Sequence, residues 1–290
     1  MILKQVALVS QAPSVPLSEV VKVSAALQKQ VSRDFAPIWN VNATVDAFAR
    51  LEDVPLGYWP ITMRDDVVDE FDAAGIHLDK SGQPFAVVQA SSDWSLTASH
   101  EALEMLADPF GDRLVAGKAP KEAKDQKRVE YLVEVCDPSE DEAFSYTVND
   151  IPVSDFYTPA FFDPVQSSGV RYSFTGAITR PRQVLKGGYV SWHNTVTDHW
   201  HQLTWFSGSK PVVRDLGIFA ESSMSTREWI DHQTHDSPLM KKEAKAKVKA
   251  KTLFASMAAA SGTPAASSGR AAMIEEAIAK LLGKAYKPQK

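Results

Sequence analysis

Apolar and polar positions change rhythm several times along the chain, and each rhythm predicts an element. Residues 6–10 form a short apolar run, a strand that closes in a polar, proline-containing turn. From 17 to 32 the residues Leu17, Val20, Val21, Val23, Ala26, Leu27 and Val31 recur at helical spacing. Residues 37–51 mix β-branched side chains with alternation and predict one strand; residues 58–63 predict the next. Residues 66–74 have the pattern of a short helix stopped by Gly75, and the stretch after it, around His77, reads as a turn. Residues 83–90 are the clearest strand of the set. Residues 94–108 are helical, with Asp93 placed to cap the start and Pro109 to stop the end. In 122–136, Val129, Leu132, Val133 and Cys136 fall at i, i+3, i+4 and i+7, which predicts a further helix.

Beyond residue 139 the character changes. Residues 140–156 alternate like a hairpin turning at Asn149-Asp150. Short strands are predicted at 171–175 and 188–192, followed by a segment dense in aromatics and imidazoles from Trp192 to Trp205. Loops and a short helical run at 226–231 follow. The chain then turns to Lys/Ala alternation, a low-complexity linker at 258–269 and a helix at 271–282. The fold class expected is α+β. Residues 1–138 would form a mixed sheet with a functional helix, 139–238 a β-rich part completing a cleft, and 239–290 a basic linker with a terminal helix.

Composition alters this picture little. The content, 44% hydrophobic and 23% charged, is that of an ordinary globular protein, and no apolar run is long enough to span a membrane. Cys136 is the one cysteine, so there is neither an intrachain disulfide nor a thiolate cage for zinc. With no secretion signal in the first residues, a cytoplasmic protein is expected. Charge is uneven: residues 241–290 hold eleven basic and three acidic groups, so the first 240 carry about −13 and the whole chain −5. Without interleaved aromatics the lysine run is not expected to bind nucleic acid; a solvated tail, or docking on a second subunit or assembly partner, fits it better.

The candidate chemistry sits on the 94–108 helix, which reads His100-Glu101-x-x-Glu104. On a helix, His100, Glu104 and Asp108 are about 40° apart per step and share a side, with Glu101 at its margin. An imidazole, a carboxylate one turn later and a free carboxylate beside them can hold a metal and activate its water; an acidic solvent-facing helix has the same pattern. A second imidazole cluster, His193, His199 and His201, lies on predicted strands and can serve as a substrate ledge.

The order strand, helix, several strands, then a helix carrying His-Glu resembles the N-terminal half of the zincin metallopeptidases, over residues 1–140. The resemblance implies one divalent metal, Zn²⁺ first, held by His100, Glu104 and Glu134, the last matching the downstream Glu ligand of the gluzincin branch. Asp137 would support His100, and Asp108 or Asp137 is the alternative third ligand. Glu101 would be the general base. Residues 83–90, through Phe85, Val87 and Val88, would be the sheet edge on which a peptide substrate lies. His193, or Tyr189, His199 or His201, would stabilise the oxyanion. The departure is position 104, where zincins place His and this chain has Glu; two carboxylates weaken the polarising power of the metal and favour Mn²⁺ or Fe²⁺ more than a His-rich site does. The rival expectation is a non-catalytic structural or assembly protein on the same scaffold.

Overall fold

Seven residues, Lys4–Ser10, form the strand around which the first sheet is built (β1). Val6 and Leu8 are buried on one face and Ala7 and Val9 on the other, the continuous apolar run of a central parallel strand. The computed structural model describes residues 3–67, 74–220, 225–235 and 265–281. In it β1 is flanked by two parallel strands, β2 (Ala43–Phe48) and β3 (Trp59–Arg64). Helix α1 (Leu17–Lys29) links β1 to β2 and continues through a π-turn at Gln30–Phe35 and one turn of helix at Ala36–Trp39. The single strand expected over 37–51 is therefore shorter. Asn40, with φ 55°, ends the helical path, and only then does β2 begin.

The full order of this sheet is β2-β1-β3-β5-β4, where β4 is Gly75–Lys80 and β5 is Gln83–Gln89. Two expectations change here. The segment around His77 is a strand, not a turn; Ser81 and Gly82, both at positive φ, make the two-residue turn joining β4 to β5. As a result β5 is an interior strand, parallel to β3 on one side and antiparallel to β4 on the other. Phe85, Val87 and Val88 are buried and offer no open edge; the edge strand on that side is β4. The expected helix over 66–74 falls largely on 68–73, outside the described residues.

A second five-stranded sheet, antiparallel throughout, has the order β12-β11-β10-β7-β6. Its strands are β6 (Leu114–Lys118), β7 (Arg128–Leu132), β10 (Tyr189–Asn194), β11 (His199–Thr204) and β12 (Val212–Gly217). Between them lies the hairpin β8 (Tyr146–Val148) and β9 (Ile151–Val153), turning at Asn149 and Asp150 as expected. The helix expected over 122–136 is absent: β7 pairs with β6 and β10 instead. Val129, Tyr131 and Val133 face the core, so an alternating, β-branched segment next to two partner strands outweighs a helical spacing. The boundary expected at 138 consequently runs through a sheet rather than between units.

Helix α2 (Trp94–Ala107) and α1 cover the face of the first sheet that carries Val6, Leu8, Ile61, Ala86 and Val88. That apolar cluster continues through Leu103, Val133, Tyr157 and Phe161 to Trp192 and Leu203 of the second sheet, a single α+β core. The opposite face, with Val9, Ile76, Phe85 and Val87, is covered by α4 (Ala265–Leu281) through Ala271, Ile274, Ala277 and Ile278. Burial of the two isoleucines contributes about 3–6 kcal/mol before chain entropy. The terminal helix thus docks on its own chain; the lysine run at 241–251 lies outside the described residues. Helix α3 (Thr226–His235) packs Ile230 on Leu132 and Trp200.

Candidate metal centre

Helix α2 positions the site because it is buried nearly all round. Apolar packing by Ala98, Ala102, Leu103 and Leu106 fixes its rotation, and its acidic side is roofed rather than open to solvent. Asp93 stands at the N-cap position without a side-chain capping bond, and the chain leaves the helix at Asp108 before Pro109. The roof comes from the extended segment that follows β7 and from α3. The Cys136 N–H donates to Glu104 Oε1 at 3.1 Å, which ties that segment to the helix.

At the centre lies a residue that spacing could not nominate, Arg227 of α3. Its Nη1 donates to Glu104 Oε2 at 2.7 Å; its Nε is 3.2 Å from Glu134 Oε1 and 3.1 Å from Asp231 Oδ2. A guanidinium therefore stands between Glu104 and Glu134, the two carboxylates expected to share a metal with His100. Among the described residues those three do not form a converging group. The converging groups, with all ligand atoms within 4.8 Å of one another, are His100–Asp137–Glu140 and His77–Glu101–Glu104.

In the first group His100 Nε2 is 3.0 Å from Asp137 Oδ1 and 3.4 Å from Glu104 Oε2. The His100 side chain is 13% exposed, against 0% for Asp137 and Glu104, so this is the point where the acidic interior meets the surface. Both Asp137 oxygens and both Glu134 oxygens are buried without a hydrogen bond. One arginine and two histidines face the carboxylates of Glu101, Glu104, Glu134, Asp137 and Asp231, an interior short of positive charge.

Protonation follows from that imbalance. Burial pushes the Glu104 carboxyl up, but Arg227 and then His100 overcome it and hold it well below the usual carboxylate range. For Glu134 burial wins: together with Asp137, Asp231 and Glu104 it outweighs Arg227 and raises the carboxyl well above its usual value. Asp137 is lifted by burial and by Glu104 to about 6. Burial disfavours a charged His100, yet Glu104 above all, with Asp137 among the other neighbours, holds its pKa well above that of a free imidazole.

The remaining expected residues are placed as follows. Glu101 points to β4, its Oε2 3.5 Å from His77 Nδ1, and does not join the His100 group. The Asp108 carboxylate caps the next loop, accepting the backbone N–H of Asp112 at 3.2 Å and of Arg113 at 2.8 Å. His193 pairs with Asp198 at 2.9 Å and Glu130 at 3.7 Å and lies against the Trp200 ring, with no contact to the acidic interior. His199 bonds Asp215, and His201 stacks on Trp192. Of the expected oxyanion donors, Tyr189 is the one near the site: burial, then Asp137 and Glu134, raise its hydroxyl well above the phenol range. Tyr157, in a segment expected only as an apolar patch, is raised in the same way by burial, Glu134, Glu104 and Asp137.

No family model, curated protein or solved structure matches this chain. Among the described residues no helix is long and apolar enough to cross a membrane.

Proposed function

We propose that this chain is a metal-dependent hydrolase of zincin type, acting on peptides, whose cation is held by His100, Asp137 and Glu140 with Glu104 beside them. The observation that carries the reading is the convergence of ligand atoms of His100, Asp137 and Glu140, all within 4.8 Å of one another, at the one partly exposed imidazole of a buried acidic group. The donor set fits a divalent cation: one imidazole, carboxylates, and two Asp137 oxygens without hydrogen bonds. When bound, such a cation polarises a carbonyl and acidifies water. The chain supplies the rest. Cys136 N–H and Arg227 fix both oxygens of Glu104, so this carboxylate turns toward His100 without rotamer freedom. Tyr189 and Tyr157, kept protonated, offer O–H donors near Asp137. Strand β4, at the end of the sheet among the described residues, rather than residues 83–90, is the strand on which an extended peptide would lie. The element order leading to the His-Glu helix supports the zincin assignment.

Arg227 favours a second reading, in which the guanidinium is the only cation the site needs and the protein is a non-catalytic structural or assembly component. Elemental analysis and casein digestion by the purified protein separate the two. The hydrolase reading expects bound metal and chelator-sensitive cleavage, with the cleavage and the metal held at His100 both lost in His100→Ala and Asp137→Asn. Metal-free protein that neither takes up Zn²⁺ or Mn²⁺ nor cleaves casein ends it and leaves the structural reading.

A further inference from the structure

The other flank of α2 carries a second group that the proposed hydrolase does not use. Strand β4 is pressed against the helix at Gly75: a Cβ there would stand 2.6 Å from Thr97 Cγ2 and 2.7 Å from Glu101 Oε1. Two residues on, His77 pairs with Ala86 on the same face of the sheet and turns its ring into the gap between strand and helix. The His77 side chain is 1% exposed, and Glu101 and Glu104 are as deeply buried.

The His77 tautomer follows from its partners. Its Nε2 lies 3.2 Å from the Asp108 carbonyl oxygen, which has only lone pairs to offer, so Nε2 carries the hydrogen. In the neutral ring Nδ1 is then bare. It faces Glu101 Oε2 at 3.5 Å and Glu104 Oε2 at 3.9 Å. Neither His77 Nδ1 nor Glu101 Oε2 has a hydrogen bond. Lone pairs of three groups thus converge in a dry place, which requires a positive charge among them. A proton on Nδ1 would draw a carboxylate oxygen to about 2.8 Å. Ligands around a tetrahedral Zn²⁺ at its usual bond lengths stand about 3.4 Å from one another. Both separations exceed the hydrogen bond, and the 3.5 Å between His77 and Glu101 is that of two ligands on one ion. An imidazole whose second nitrogen donates to a backbone carbonyl is also the usual arrangement of a metal ligand. Glu104 Oε2 also has Arg227 at 2.7 Å and His100 Nε2 at 3.4 Å, whereas among the described residues Glu101 has no ion-pair partner other than His77.

We propose that His77, Glu101 and Glu104 form a second, buried divalent-cation site, zinc by its donor set, which clips the edge strand β4 to α2. It is structural and stands whether or not the His100 group is catalytic. The test is zinc titration of the demetallated full-length protein, read as equivalents bound and as the zinc-dependent shift in melting temperature. Wild type is expected to bind two equivalents, and His100→Ala to keep the one that raises the melting temperature. His77→Gln and the shape-conserving Glu101→Gln, each checked for a native far-ultraviolet spectrum, are expected to weaken that equivalent at least about 100-fold. Loss of all zinc in His100→Ala, or unchanged stoichiometry and melting shift in Glu101→Gln, overturns the proposal. Zinc lost with His77 but indifferent to His100 would instead uphold this site while removing the catalytic one.

Discussion

The two flanks of the His100 helix carry the same residue types and differ in access. On one, His100 reaches Asp137 at a point that is 13% exposed; on the other, His77 meets Glu101 where side-chain exposure is at most 4%. Access is what separates an exchangeable, reactive metal position from a closed structural one. The flanks are joined by Glu104, whose Oε2 is 3.4 Å from His100 and 3.9 Å from His77, and Arg227 holds that oxygen at 2.7 Å. The side chains of the His-Glu-x-x-Glu pattern therefore fall into two groups rather than one. Residues 100 and 101, about 100° apart on the helix, serve opposite sides, and residue 104 serves both.

The hardest way to break the comparison is to remove the joint. Arg227→Met leaves Glu104, Glu134 and Asp231 without their shared guanidinium, and it should lower the unfolding free energy by about 3–5 kcal/mol in urea. Glu104→Gln cuts the same pair from the other side and should fall in the same range. A loss below about 1 kcal/mol for Arg227→Met would show that the carboxylates are neutral or otherwise paired, and that Arg227 joins nothing.

Gly75→Ala acts on the closed flank alone. Its backbone is not at a glycine-only φ, so the effect is one of space: the new methyl meets Thr97 Cγ2 and Glu101 Oε1 inside contact distance. The expected cost is about 1–3 kcal/mol, with β4 displaced from the helix. Zinc equivalents assigned to His77 should weaken while those assigned to His100 persist. Equal weakening of both would mean that the flanks are one cooperative unit.

Much of this arrangement was legible in the sequence, and the failures are physical. The strands at 6–10, 58–63 and 83–90 and the His100 helix declare themselves because their apolar runs are unbroken or periodic and end at local signals such as Pro109. β4 was missed because half its alternation is His77, polar by type and buried by partners 24 and 27 residues away. Its Ser81-Gly82 turn between alternating runs was the available signal. The 122–136 segment satisfies a helical spacing and an alternating one at once, and only pairing with β6 and β10 decides. Arg227 lies 123 residues from Glu104, in a run read merely as a short helix. No local pattern marks an arginine as internal.

The smallest expected effect is the sharpest, because it turns on sign. Glu134 is 3.2 Å from Arg227, and distance alone would make it an ion-pair partner like Glu104. Burial and three neighbouring carboxylates instead raise its pKa well above the usual value, whereas that of Glu104 is held well below it. A carboxyl raised in the folded state contributes its full stability below the unfolded value of about 4.3, and loses it as pH climbs toward the folded value. Glu104, lowered by folding, does the reverse: its contribution is present above that value and lost on acidification. Glu134→Gln imitates the protonated form, so at neutral pH it should stay within about 1 kcal/mol of wild type or exceed it. Its advantage should grow as pH rises from about 4, since the variant has no proton to give up. Urea unfolding of the metal-free pair across that range measures this. A Glu134→Gln protein that loses stability as steeply as Glu104→Gln would make Glu134 an ionised partner of Arg227.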